Sequence, residues 1–355
     1  MRFDPGPAPR PALRRARGVL LAVALLVCLA TAVFAIGVGA VRIPPAQVLA
    51  GLFGWEDALL SDAMRTVVWT VRLPRVLQGL LAGAVLATAG VLLQALFRNP
   101  LADPALIGVS AGAALGAVTV IVLGATWLAG LARLLDVWTL PAAAFAGALT
   151  TASVVFALAR RDGLLDPGTM LLCGIAINAL TGAGIGLLTY LATDEQLRNL
   201  TFWSLGSLGA ATWGSLTGIT PAVLLIVVAV PWLMRPLNAL LLGESEALHL
   251  GVPVERLKRW VVVLAAAGAG AVVAVCGVIG FIGLIAPHAA RLLAGPDHRV
   301  VLPLSALIGA TLLTAGDLVA RTAVRPAELP IGILTALLGA PFFLWLLRGR
   351  AREAA

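Results

Sequence analysis

Ten apolar stretches, most of them near twenty residues long, recur along the 355-residue chain at about 18–40, 76–97, 105–124, 140–159, 169–192, 216–234, 260–279, 281–293, 300–320 and 330–347. A hydrocarbon layer offers the backbone no water, so a segment entering it must pair its own N–H and C=O groups, and a helix does this within one segment. About 20 apolar residues cross such a layer as a helix. The pattern therefore predicts an all-α polytopic membrane protein with about ten transmembrane helices. Composition agrees, since only 12% of residues are charged, roughly half the ~25% of a soluble domain. The eighth stretch, 281–293, is too short for a straight crossing at ~1.5 Å per residue. It is a partial span buried among its neighbours, or the count is one too high.

Charge placement predicts orientation. With both termini inside, seventeen of the 25 Lys and Arg residues lie on inward segments. Arg42, Arg65, Arg72, Arg75, Arg133, Arg198, Arg321 and Arg325 lie on outward ones. The excess of cations favours cytoplasmic termini. The chain then divides into a cytoplasmic tail (1–17), one membrane domain (18–348) and a second cytoplasmic tail (349–355). The first apolar run exceeds a signal-peptide core and reads as a retained span. Nucleic acid is an unsuitable partner despite a pI near 11.0, because the arginines form no stripe interleaved with aromatics. Cys28, Cys173 and Cys276 lie inside apolar stretches without CxxC spacing or a neighbouring His. They read as small buried thiols, with no metal site and no disulfide framework.

An internal echo points to architecture. GAVLATAGVLLQALFRNP (83–100) aligns without gaps with GAVVAVCGVIGFIGLIAP (270–287). The two stretches stand five spans apart and so run in opposite directions. Inverted repeats of this kind recur in transporters, with the pathway at the repeat interface.

The chain holds no GxxxxGK[ST] loop, and its only lysine, Lys258, follows Leu257. It thus has no recognisable cradle for the phosphates of ATP. There is no HExxH and no paired intramembrane carboxylate. Asp317 and Glu328 are the only acids near span interiors, and both read as helix caps or as partners of Arg321 and Arg325. Catalytic residues are none, and metal ligands are none. An intramembrane enzyme would need a buried Ser/Lys or Asp pair, and a passive channel would leave the half-charged segment RPLNALLLGESEALHLGVPVERLKRW (235–260) unexplained. Uphill movement of a solute would need energy from another polypeptide.

FRNPLADPALIGVSAGAALGA (97–117), RLPR (72–75), GESEALHLGVP (243–253), GFIGLIAPHAARLLAGPDHR (280–299) and AELPIGILTALLGAPFF (327–343) resemble, in order, the permease family of ABC importers for cobalamin, iron–siderophore complexes and haem. The resemblance implies a type II importer permease fold in the bacterial inner membrane, a second copy of the permease, and two separate ABC ATPase subunits that carry ATP and Mg. It also implies a periplasmic or extracellular solute-binding protein. No cofactor is expected on this chain. The segment 235–259 is implied to be cytoplasmic and to couple to the ATPases through Leu242, Gly243, Glu244, Ala247, Leu250 and Gly251. Its leucines offer apolar ridges, as an amphipathic helix seated in a partner's groove requires. Gly243 and Gly251, with Pro253, are expected to punctuate two short helices. An amphipathic helix on the lipid surface is the alternative, which the three glutamates of the segment disfavour.

Asn99, Pro100, Asp103 and Pro104 read as a tight turn, which the resemblance places near the cytoplasmic gate. Outside, Arg72, Arg75 and Arg321 are implied to meet acids of the binding protein; interfacial snorkelling is the alternative. Asn178 and Tyr190 on the fifth span read as pathway lining or as ordinary helix contacts. The stretch 177–209 is most similar to haem-importing members. There Arg198 would attract haem propionates, unless it pairs with Asp194 or Glu195. Haem is the first expected cargo, ferric siderophore the second and cobalamin the third.

Overall fold

The computed structural model describes residues 11–39, 42–53, 61–161, 163–324 and 327–353. The chain runs through α1 (Pro11–Gly37), α2 (Pro45–Phe53), α3 (Asp62–Thr66), α4 (Leu73–Leu96), α5 (Val109–Leu123), α6 (Ala129–Leu135) and α7 (Thr139–Leu158). A two-stranded hairpin, Arg160–Arg161 against Leu164–Leu165, follows. The remaining helices are α8 (Pro167–Leu191), α9 (Asp194–Ser204), α10 (Trp213–Leu240), α11 (Glu244–His249), α12 (Val254–Cys276), α13 (Ile282–Ala294), α14 (His298–Ala323) and α15 (Ile331–Glu353).

Seven helical segments among the described residues are long and apolar enough to cross a membrane, and α5, α13 and the Ile331–Leu344 part of α15 are shorter apolar helices. Together they match the ten stretches read from sequence. The eighth is a partial span. α13 has 13 residues, about 20 Å at 1.5 Å per residue, and it packs between α4, α14 and α15. The third proves short too, because a 3₁₀ turn (Pro104–Ile107) and Gly108 precede α5.

The inverted echo appears as exchanged packing. α4 lies along α14, and α12 along α7. α5 packs on α7 as α13 packs on α14. A residue in the left-handed backbone region precedes each short helix, Gly108 at φ +83° and Phe281 at φ +67°. The two stretches match helix on helix only at first: α12 ends at Cys276, whereas α4 continues to Leu96. α4 and α12 are mostly buried and form the centre, while α1 and α8 keep most of their apolar surface exposed.

The second span begins earlier than its apolar run suggests. α3 continues through a π-helical stretch, Val67–Arg72, into α4, and Pro74 sits in the first turn of α4. A wide turn frees backbone carbonyls from the helical ladder, and Trp213 Nε1 donates to that of Trp69 at 2.9 Å.

Candidate functional site

The segment between α10 and α12 supplies the first candidate. Of 235–259, only 241–253 lies outside the two long helices, because α10 runs to Leu240 and α12 starts at Val254. One short helix occupies it, where the glycine punctuation suggested two. Gly243, at φ +120° and ψ 159°, breaks the chain out of α10; that region is essentially closed to other residues. Gly251, at φ +79°, ends α11. Its N–H donates to Leu248 O at 2.9 Å and that of Val252 to Ala247 O at 3.0 Å, the Schellman pattern that satisfies a helix's last carbonyls.

Ala247 is wholly buried and roots α11, whereas Leu241, Leu242, Leu248 and Leu250 are exposed. Glu244 and Glu255 turn toward the hairpin side of α11, with side chains 38% and 26% exposed. The ammonium of buried Lys258 draws them in, at 2.7 Å from Glu244 Oε2 and 3.0 Å from Glu255 Oε1. Lys258 also donates to Leu165 O at 2.9 Å, while Leu165 N donates to Glu255 Oε2 at 2.9 Å. The ammonium thus hydrogen-bonds Glu244 and Leu165 O and forms an ion pair with Glu255, and one residue ties α11, α12 and the hairpin together. Sequence reading noted Lys258 only as the sole lysine; its partners come from three separate parts of the chain. The hairpin itself was legible in the DG pair at 162–163, a strong turn signal.

The turn after α4 forms as expected. Asn99 Oδ1 accepts from Leu101 N at 3.0 Å, and Asp103 Oδ1 from Ala105 N at 2.9 Å. Pro100 lies in the turn, and Pro104 opens the 3₁₀ helix that Asp103 caps. Burial raises the Asp103 carboxyl above its ordinary pKa, against the hydrogen bond from Ala105. Gln94, which sequence reading passed over, donates from Nε2 to Gly283 O at 3.0 Å and joins α4 to α13 beside this turn.

At the other end, the arginines expected to face a docking protein are turned inward. Buried Arg72 donates from Nη1 to Ile36 O at 2.7 Å and to Gly37 O at 3.1 Å, and Arg321 donates to Ala35 O. Both therefore cover the last carbonyls of α1, where a cation is favoured by about 0.3–1 kcal/mol. Arg75 is also buried; its Nη2 lies 2.9 Å from Asp317 Oδ1 and its Nη1 3.0 Å from Glu328 Oε1. Asp317 takes Arg75 as its main partner, with Arg321 Nε farther off at 3.8 Å. Arg325 lies outside the described residues.

The pathway candidates separate. Asn178 is part-buried and donates from Nδ2 to Ala105 O at 3.1 Å, which holds α8 to the 3₁₀ turn. Tyr190 is 86% exposed near the end of α8. Arg198 is exposed on α9, and neither Asp194 nor Glu195 forms an ion pair with it among the described residues. α9 itself was readable in TDEQ (193–196). Thr193 and Gln196 form a capping box, and Gln196 Nε2 donates to Val122 O at 3.1 Å, fixing α9 over the end of α5.

Comparison with known proteins bears on this geometry. The model of the FecCD transport family matches residues 25–349. The chain is 47% identical over 293 residues to the hemin transport system permease protein HmuU of Yersinia pestis, covering 82% of this chain and 86% of that one. It is 43% identical over 296 residues to the cobalamin import system permease protein BtuC of Halobacterium salinarum, covering 83% and 77%. A solved inward-facing structure, described as a metal-chelate type ABC transporter, superposes with a TM-score of 0.80 at 33% identity, covering 94% of this chain and 99% of that one.

Proposed function

The chain belongs to the FecCD transport family and is a multi-pass membrane permease of an ABC importer, and from that premise we propose that its cargo is haem. The observation that carries this reading is the 47% identity to a hemin permease along most of both chains. Exposed Arg198 on α9 adds a residue-level reason, since an unpaired guanidinium at the outer mouth attracts haem propionates during handover. Cobalamin is the second reading, favoured by the 43% identical cobalamin permease.

In this proposal two ATPase subunits bind ATP and Mg and press on α11, a second copy of the permease completes the pathway, and a solute-binding protein delivers cargo from outside. Both termini are cytoplasmic. α11 suits the coupling role because Leu248 and the flanking Leu241, Leu242 and Leu250 are exposed while Ala247 and Lys258 fix its inner side; a rigid short helix passes on displacement as a body. Arg72, Arg75 and Arg321 serve docking from beneath, by holding the outer ends of α1, α4 and α14 as one platform.

Uptake by proteoliposomes containing the permease, its ATPase and its binding protein tests the cargo. ATP-dependent accumulation of haem in preference to ferric siderophore and cobalamin is expected; cobalamin uptake without haem uptake would replace the first reading by the second. Arg198→Glu is expected to slow haem uptake several-fold with the ATPase still bound, and an unchanged rate removes the role given to Arg198. Leu242→Asp, an exposed change beside α11, is expected to release the ATPase on affinity purification.

A further inference from the structure

The hairpin and α11 flank an open hollow of about 520 Å³ whose floor is the start of α12. Its rim is apolar on both sides: Leu164 of the hairpin is 61% exposed and Leu248 of α11 is 59% exposed. Its wall is acidic. Asp166, Glu244 and Glu255 line it against the single cation Lys258, which leaves two negative charges in excess among the described lining residues. Hydrogen bonds from Thr169, by side chain and backbone, hold the Asp166 carboxyl below its ordinary pKa, so its charge persists. One cation cannot balance three carboxylates, and Lys258 is already held by Glu244, Glu255 and Leu165 O. The same lysine keeps the two walls at a set distance, since it binds both.

We infer that this hollow is a socket for the ATPase subunit, taking one arginine or lysine whose neighbours on that subunit are apolar. The inference rests on the reading that α11 meets an ATPase. It adds that the permease grips its partner with two walls and selects it by charge. A long basic side chain suits the site, because its methylene stem lies along the leucine rim while its head reaches the carboxylates. Anionic lipid is the wrong occupant for an acidic hollow. The consequence is mechanical: force on the hairpin wall reaches α7 and α8 directly, in addition to the route from α11 into α12.

The test uses the full-length permease co-expressed with its ATPase subunit. The fraction of ATPase retained on the affinity-purified permease is followed through a sodium chloride titration. Leu164 is exposed and belongs to neither α11 nor α12, so Leu164→Lys and Leu164→Glu alter the rim without touching the coupling helix. Thermal midpoints equal to that of the parent confirm that both fold. Leu164→Lys is expected to retain at least tenfold less ATPase, whereas Leu164→Glu retains as much as the parent or more and dissociates at higher salt. Equal losses in both variants, or no loss in either, overturn the socket. If Leu242→Asp releases the ATPase while the Leu164 variants do not, the socket falls and the coupling role of α11 stands. If none of the three releases it, both fall. Gain of binding by Leu164→Lys to phosphatidylglycerol vesicles, with ATPase retention unchanged, also overturns the inference and makes the hairpin a lipid contact.

Discussion

Replacing Asp317 with alanine is expected to cost the protein about 3–5 kcal/mol, the range for breaking a buried ion pair by removing one partner. The side chains of Arg75 and Asp317 are 9% and 5% exposed. Arg75 reaches the carboxylate through Nε, at 3.1 and 3.0 Å from its two oxygens, and through Nη2 at 2.9 Å. Without Asp317, Arg75 keeps Glu328 alone as an acidic partner among the described residues; that side chain is 49% exposed and its pairing is correspondingly screened. Arg321, with its side chain 6% exposed, loses its nearest carboxylate as well. The loss is read as a fall in the thermal unfolding midpoint in detergent. Two further variants make the cause visible. Asp317→Asn, which keeps the shape and some hydrogen bonding, is expected to lose less. Arg75→Leu combined with Asp317→Leu is expected to recover part of the loss, because a buried pair exchanged for apolar groups can be close to neutral. A double variant as unstable as the sum of the single ones would show that the pair is not coupled.

The second large effect is steric. A Cβ added at Gly83 would stand 2.2 Å from Gly309 O and 2.6 Å from Gly309 C, and both atoms are backbone of α14. No rotamer change can relieve that contact, so α4 and α14 must separate along their whole seam. Overpacking costs typically 1–3 kcal/mol where side chains can yield, and more where they cannot. Gly83→Val is therefore expected to yield little or no monodisperse permease after detergent extraction, and Gly83→Ala a markedly lowered midpoint. The control is Gly186→Leu in α8, where nothing lies within 4 Å of the added carbon; its yield should equal that of the parent. Normal yield from Gly83→Val would show that the α4–α14 seam is looser than the structure has it.

These two predictions also mark how far the residues alone could be read. The ten apolar runs became helices at nearly the expected places, since segment length and apolar content act locally. The turn at 97–104 was equally open to reading, because Asn99 and Asp103 bond to N–H groups two residues ahead. Arg72, Arg75 and Arg321 were different. Their positions near the ends of spans follow from sequence, but their partners do not. Arg72 meets carbonyls 35 and 36 residues back, and Arg75 meets a carboxylate 242 residues ahead. An arginine near a predicted membrane surface reads alike whether it faces a partner or caps a neighbouring helix. Lys258 shows the same limit at the opposite end of the helices, where its partners stand 14 and 93 residues away as well as one turn back on α12.

Hydropathy and spacing by themselves determined that this chain is helical and membrane-embedded, that it repeats itself in opposite directions, and that it lacks a phosphate loop of its own. Each of these is a property of a short window, in which the backbone's need for hydrogen bonds in hydrocarbon leaves one solution. Only the tertiary structure decided which charges are spent inside the protein and which stay open to a partner. That choice depends on which helices touch. Here it turned on contacts such as Gly83 against Gly309, where the absence of two side chains lets α4 and α14 come close enough for Arg75 to reach Asp317.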